Sequence, residues 1–329
     1  MKRREFITLL GSAATTWPVS ALAQRGEQMK RIGILTNGAA GDPDYQARIA
    51  AFLEGLQSFG WIDGRNVRID TRWGTGNAAD VKKFATELVA LAPDVILATG
   101  TTLGALQQAT RTVPIVFALS ADPVGAGYVD SLARPGGNMT GFMLFEFSLS
   151  GKWLELLKEI APRVNRVAFL FNPATATYAE YYLKPFKAVA PSLGLDPIAS
   201  PVHDPTELES AIAAQAREPD GALIIMPDTF TDAHRTEITS QAARYHLPAV
   251  CPFRFYAEVG CLLSYGNEAI DNFRRAAQYA DRILKGEKPS DLPVQAPVNF
   301  VLTINLKTAK ALGLDVPALL QQRADEVIE

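Results

Sequence analysis

The 329-residue chain has little of what catalytic and metal-binding sites are usually built from: two cysteines and three histidines. His203, His234 and His246 lie far apart in the pattern of the chain, so they form no metal cluster and are expected on the surface. Cys251 and Cys261 are too few for a disulfide framework or a metal site. A single disulfide in an oxidising compartment and two buried thiols on neighbouring strands are both open to them. The chain also lacks a G-x-S-x-G elbow, an H-E-x-x-H pair and a phosphate-binding P-loop. Gly125-Ala126-Gly127 starts like a dinucleotide fingerprint, but it follows Asp122-Pro123 rather than the first strand and lacks the third glycine. No cofactor is expected, and an enzymatic reading would rest on carboxylates alone. Basic residues are not clustered and the net charge is −3, which makes nucleic acid a poor partner. No apolar stretch reaches the roughly 20 residues of a membrane span.

What is present begins with an export signal. "MKRREFITLLGSAATTWPVSALAQ" has a basic start at Lys2, Arg3 and Arg4, an apolar run from Phe6, and Ala21-Leu22-Ala23 as a small-x-small cleavage site. Cleavage after Ala23 is expected, with a periplasmic product. Paired Arg3-Arg4 resembles a twin-arginine signal, although Lys2 stands where Ser or Thr is usual, so the general secretion route is the alternative. Without residues 1–23 the chain carries 29 Lys and Arg against 34 Asp and Glu, a net −5. About 306 residues remain, enough for two domains.

From Lys30 onward, short apolar strands alternate with amphipathic helices. "RIGILTN", Tyr45 to Phe59, "NVRIDTRW", Ala79 to Leu91, "DVILATG" with its helix, and "VPIVFAL" form one run. The order repeats from Arg166: "RVAFLFN", Tyr178 to Leu193, "DPIASPV", Pro205 to Arg217, "GALIIMPD", Asp232 to Tyr245, "LPAVCPF". Alternation of this kind builds parallel sheets with helices on both faces. An α/β chain of two doubly wound lobes is predicted.

A parallel sheet presents its ligand at the carboxyl ends of its strands. In the first half those positions are Asn37, Gly100, Thr101, Thr102, Ser120 and Asp122; in the second they are Asn172, Asp228, Thr229 and Phe253. Backbone N–H groups at a helix start suit an anion, and threonine hydroxyls there add hydrogen bonds. Asp228 is the carboxylate at a strand end of the second half, and it aligns internally with Gly100 and Thr101. Facing each other across a cleft, the two would fit a zwitterion. The plainer alternatives are that a threonine and Asp228 only cap their own helices, and that Asn37 and Asn172 cap turns. Tyr178, Phe253 and Tyr265 could wrap an apolar side chain or simply pack in the core, while Trp73 is expected on a lobe surface.

"DPVGAGYVDSLARPGGNMTGF", from Asp122 to Phe142, resembles the periplasmic substrate-binding proteins of ABC transporters, in the family that includes tryptophan- and tyrosine-uptake components. The likeness continues through "IVFALSADPVGAG", "LLSYG", "ILKGEKPSDLPVQAP" and "INLKTAKALGL" and covers essentially the whole exported chain. It implies a type I periplasmic-binding fold, two lobes joined by three crossovers, no chemistry, and delivery of a small organic ligand to a membrane permease. On that topology 24–141 with 264–289 would form the first lobe and 142–263 with 290–329 the second. In amino-acid-binding relatives the carboxylate is held at a first-lobe helix start and the ammonium by an acidic residue of the other lobe. Thr101, Thr102 and Asp228 match those places in kind. A monomer is expected. The alternative partner is a sensor kinase or chemoreceptor.

Overall fold

The computed structural model describes residues 29–329 apart from Gly76 and Phe145. The export signal and its cleavage site lie outside the described residues. The first run reads β1 (Lys30–Thr36), α1 (Pro43–Ser58), β2 (Val67–Trp73), α2 (Ala78–Ala90), β3 (Val95–Thr99), α3 (Thr102–Ala109), β4 (Ile115–Ser120) and β5 (Met139–Met143). The second reads α4 (Leu149–Ile160), β6 (Arg166–Phe171), α5 (Ala179–Val189), β7 (Asp196–Pro201), α6 (Pro205–Gln215), β8 (Gly221–Ile225), α7 (Thr229–Ala233), α8 (Arg235–Arg244) and β9 (Ala249–Cys251). The tail supplies α9 (Arg254–Glu258), β10 (Leu263–Asn267), α10 (Ala269–Leu284), β11 (Phe300–Asn305), α11 (Leu306–Ala311), α12 (Ala318–Arg323) and β12 (Glu326–Ile328).

The local chemistry of these elements is visible in α1. Pro43 opens it with a φ already suited to a helix, and Asp42 caps it by accepting from the Asp44 N–H. Its buried Tyr45, Ile49, Phe52 and Leu56 fall three or four residues apart, which makes one apolar stripe. The central strands β3, β4, β6 and β8 are instead apolar along nearly their whole length because helices cover both faces. In β3, Val95 and Leu97 enter one hydrophobic cluster and Ile96 and Ala98 the other, the period of two expected of a strand.

The strands form two sheets, one ordered β2-β1-β3-β4-β5 and one ordered β12-β11-β10-β9-β8-β6-β7. Every pairing is parallel except β10 with β11. This is the doubly wound α/β arrangement in two lobes. Ser264, where the sequence places the return to the first lobe, still belongs to the second sheet, opposite Cys251 and Thr303. The return comes after Asn267, with α10 packed on α1, β3, β4 and β5. Val294 and Gln295 still bond to Leu132 and Gly141 of the first lobe, so the last crossing follows Gln295 rather than Pro289. On these pairings we draw the lobes at 29–143 with 268–296 and at 146–267 with 297–329.

Three further details differ from or complete the sequence reading. The helix expected from Asp232 to Tyr245 is broken at His234 into α7 and α8. His203 and His246 are exposed, whereas His234 is half-buried against Phe230, ring centroids 4.5 Å apart. Trp73 is likewise partly covered, packed against the core instead of standing on the surface. Of the two states open to Cys251 and Cys261, the structure has the disulfide, with an S–S distance of 2.01 Å, both cysteines 1% exposed.

Candidate functional site

The carboxyl ends of β3 and β4 face those of β6 and β8 across a cavity of about 230 Å³. Gly100, with φ +52°, turns β3 sharply into α3, and a side chain there would press on the Asn37 amide, 2.8 Å from its nitrogen. This tight turn brings Thr101 into the cavity wall. Its neighbour Thr102 points the other way. Completely buried, its hydroxyl donates to the Thr99 carbonyl at 2.8 Å and accepts from the Thr99 N–H at 3.2 Å, so it locks the turn from beneath. The two threonines therefore have different jobs.

Ser120 and Asp122 follow β4 into the same wall. One Asp122 oxygen accepts from the Gly125 N–H at 2.8 Å, which curls the loop, and the Tyr181 phenol of the opposite lobe comes up to the same carboxylate. Interaction with the Asp122 carboxylate holds the Tyr181 phenol above its ordinary pKa. A Cβ at Gly125 would lie 1.9 Å from Asp122 Oδ2 and 2.8 Å from the Tyr181 hydroxyl, so this glycine is what lets the two meet. The Gly125-Ala126 pair thus borders the cavity, in the loop between β4 and β5 rather than after the first strand.

From the second lobe come Thr177, Tyr178, Tyr181 and Thr229. Tyr178 donates to the Pro227 carbonyl at 2.6 Å, which fixes its ring, and burial pushes its pKa up. Thr229 accepts from the Asn37 side-chain amide at 2.7 Å, a bond that joins the two lobes directly. Asn37 sits beside the cavity rather than in its wall, held by Thr99, whose hydroxyl donates to Asn37 Oδ1 at 2.8 Å.

Several strand-end residues are taken up by packing or capping away from the cavity. Asp228 is 2% exposed, and its carboxylate accepts from Asn172 N at 2.8 Å, from Phe230 N at 3.1 Å as the cap of α7, and from the Thr175 hydroxyl. Burial raises its pKa against those three donors. Asn172 is spent in the same way, on Ala174 N and the His203 carbonyl. Phe253 is buried beneath the Arg48 guanidinium, 5.5 Å from its ring centre, and Tyr265 stacks on Phe300 at 5.8 Å. None of these four, nor Thr102, lines the cavity.

Tyr128 and Tyr181 were not collected from the sequence although both line the cavity. Tyr181 had a usable signal: it lies on α5 three residues after the N-cap Tyr178, close to the spacing that brings two side chains to one helix face. Tyr128 comes from the loop after β4, which a search of strand ends passes over.

Chemically the walls offer one carboxylate, Asp122, together with the hydroxyls of Thr101, Ser120, Thr177 and Thr229, the start of α3, and three phenol rings. Among the described residues no group of three His, Cys, Asp or Glu is placed to hold a metal ion. Among those residues no helix is long and apolar enough to cross a membrane.

Comparison with known proteins identifies the family and the fold. Residues 40–328 match the family described as ABC transporter substrate binding protein. The chain is 24% identical over 289 residues to a tyrosine-binding protein of Clostridioides difficile strain R20291, covering 88% of this chain and 82% of that one. An ABC domain from Streptococcus pneumonia in complex with L-Trp superimposes with a TM-score of 0.84 at 26% identity, over 91% of this chain and 99% of the other. The ligand-free, open structure of a substrate binding protein with adhesive properties from Clostridium difficile gives 0.69 at 25% identity, over 91% and 99%. The TM-score is thus higher against the L-Trp complex than against the ligand-free, open structure. The chain therefore belongs to the ABC transporter substrate binding protein family, whose members bind solutes and catalyse nothing.

Proposed function

We propose that this chain is the periplasmic solute-binding component of an ABC importer and that its lobes close around an amino acid with an aromatic side chain. The observation that carries this reading is the composition of the interlobe cavity. Asp122 lies beside the start of α3 with Thr101 and Ser120, while Tyr128, Tyr178 and Tyr181 supply the rest of the wall. An ammonium would bond to Asp122. A carboxylate would take the α3 N–H groups and the Thr101 hydroxyl, as anions do at helix starts. The rings would cover the side chain. Asp228 serves this site indirectly, by fixing the loop after β6 that carries Thr177 and Tyr178. The name of one relative, a tyrosine-binding protein, and the L-Trp bound to the other support the same class. Closure would be the state that a permease recognises.

The test is a melting-temperature screen of refolded, ligand-free protein against L-amino acids, des-amino aromatic acids and polyols. A ligand at 100 times its dissociation constant should add about 2.7 kcal/mol, or roughly 5–10 °C for lobes of this size. Aromatic L-amino acids should give the largest shifts. A screen in which polyols shift the melt and no amino acid does would reject the reading.

A further inference from the structure

Away from the cavity, the lobes meet a second time where the start of α1 faces α8. The Arg235 guanidinium reaches across with both nitrogens, Nη1 to Asp42 Oδ2 and Nη2 to Asp44 Oδ2, each at 3.1 Å. It is braced on its own lobe by a 2.8 Å bond from Nη1 to the Asp232 carbonyl and by the Phe255 ring 5.2 Å beneath it. Asp42 uses its other oxygen to cap α1, so the accepting carboxylate is held still by the helix it starts. In the opposite direction Arg48 of α1 lies 5.5 Å and 5.6 Å from the ring centres of Phe253 and Phe255, and it is only 3% exposed. The Arg235, Asp42 and Asp44 side chains are 17%, 17% and 29% exposed. None of these groups lines the ligand cavity.

We propose that Arg235 with Asp42 and Asp44, aided by Arg48 on its aromatic seat, forms a latch that holds the lobes closed without contacting the ligand, and so sets affinity for every ligand alike. The charges of each lobe are complementary only in the closed arrangement; apart, each would return to water. A ligand that binds the closed form has its apparent affinity scaled by the closed fraction. The inference rests on the two-lobe binding reading but not on the identity of the ligand.

The experiment needs no ligand. Spin labels at Lys83→Cys and Glu209→Cys, exposed positions on the two lobes, report the interlobe distance by pulsed electron resonance, with the native cysteines already paired. The refolded ligand-free chain should show a closed and an open distance. Arg235→Met keeps the stem over Phe255, and Asp42→Asn with Asp44→Asn keeps the cap; each should lower the closed-to-open ratio about tenfold, as for loss of two half-buried charge-assisted bonds. The combined variant should fall no further. High salt should act in the same direction. A ligand-free chain with no closed distance, or an unchanged ratio in these variants, overturns the latch. Failure of L-tryptophan or L-tyrosine to shift the distances would count against the proposed ligand class and leave the latch intact.

Discussion

Asp122→Asn and Asp228→Asn should have opposite signatures, because one carboxylate faces the cavity and the other is consumed within its lobe. At Asp122 the substitution removes the charge offered to an ammonium. Charge-assisted hydrogen bonds contribute about 1.5–3 kcal/mol, so an amine-bearing ligand should bind roughly ten- to 150-fold more weakly. A des-amino analogue should lose far less. The amide can still accept from Gly125 N, so stability should change little. At Asp228, an asparagine brings one acceptor oxygen and an N–H₂ into a pocket of three donors. At least one buried donor then loses its partner, at about 1–3 kcal/mol, or roughly 2–12 °C in Tm. Affinity of the folded protein should fall much less than for Asp122→Asn. Calorimetry and melting curves on both variants, with an aromatic amino acid and its des-amino analogue, decide the matter. A folded Asp228→Asn that loses the amine ligand tenfold, beside an Asp122→Asn that keeps it, would refute the assignment.

Replacing Cys251 and Cys261 together by Ser opens a loop with a sequence separation of 10, which should cost about 3 kcal/mol by chain entropy. Ligand affinity should stay within about twofold, since neither residue lines the cavity; a folded, stable variant that cannot bind would contradict this. Burial lifts the Asp232 carboxyl from its usual 3.8 to about 7, against the pull of Arg48 and the bond from Tyr256, with a further push from Asp228 and a weaker pull from Arg235. The native state therefore keeps a proton that the unfolded chain has released, and stability falls as pH rises from about 4 to about 7. Asp232→Asn should remove that slope, by at most about 4 kcal/mol across the window. Denaturant curves at pH 4, 5.5 and 7.5 that give wild type and variant the same slope would argue against it.

Much of this was legible in the sequence because parallel sheets leave little choice: the strand ends must converge. Gly100, Thr101, Ser120, Asp122 and Tyr178 come together for that reason. Which of two adjacent threonines faces the cavity was not legible. Successive helical residues differ by about 100° in direction, and the phase is set by the turn at Gly100. The role of Asp228 was also hidden, since a residue after a strand can face the cleft or cap the next helix, and only the positions of Asn172 N and Thr175 decide between them. Phe253 and Tyr265 have aromatic character and strand-end positions but pack against Arg48 and Phe300. The boundary at Ser264 was early because β10 adds to the second sheet before the chain returns, and its pairing with β11 is set by residues some 40 positions away.

The central claim, a closed cavity for an aromatic amino acid read at both its charged ends, is tested most directly by calorimetry on the refolded chain. L-tryptophan and L-tyrosine would be titrated beside their methyl esters, their des-amino analogues and a polyol. The account predicts one site per chain for an aromatic amino acid, at least about a tenfold loss for the ester and for the des-amino compound, and no binding of the polyol. Equal affinity for the amino acid and both analogues, or binding of the polyol in place of them, would contradict it.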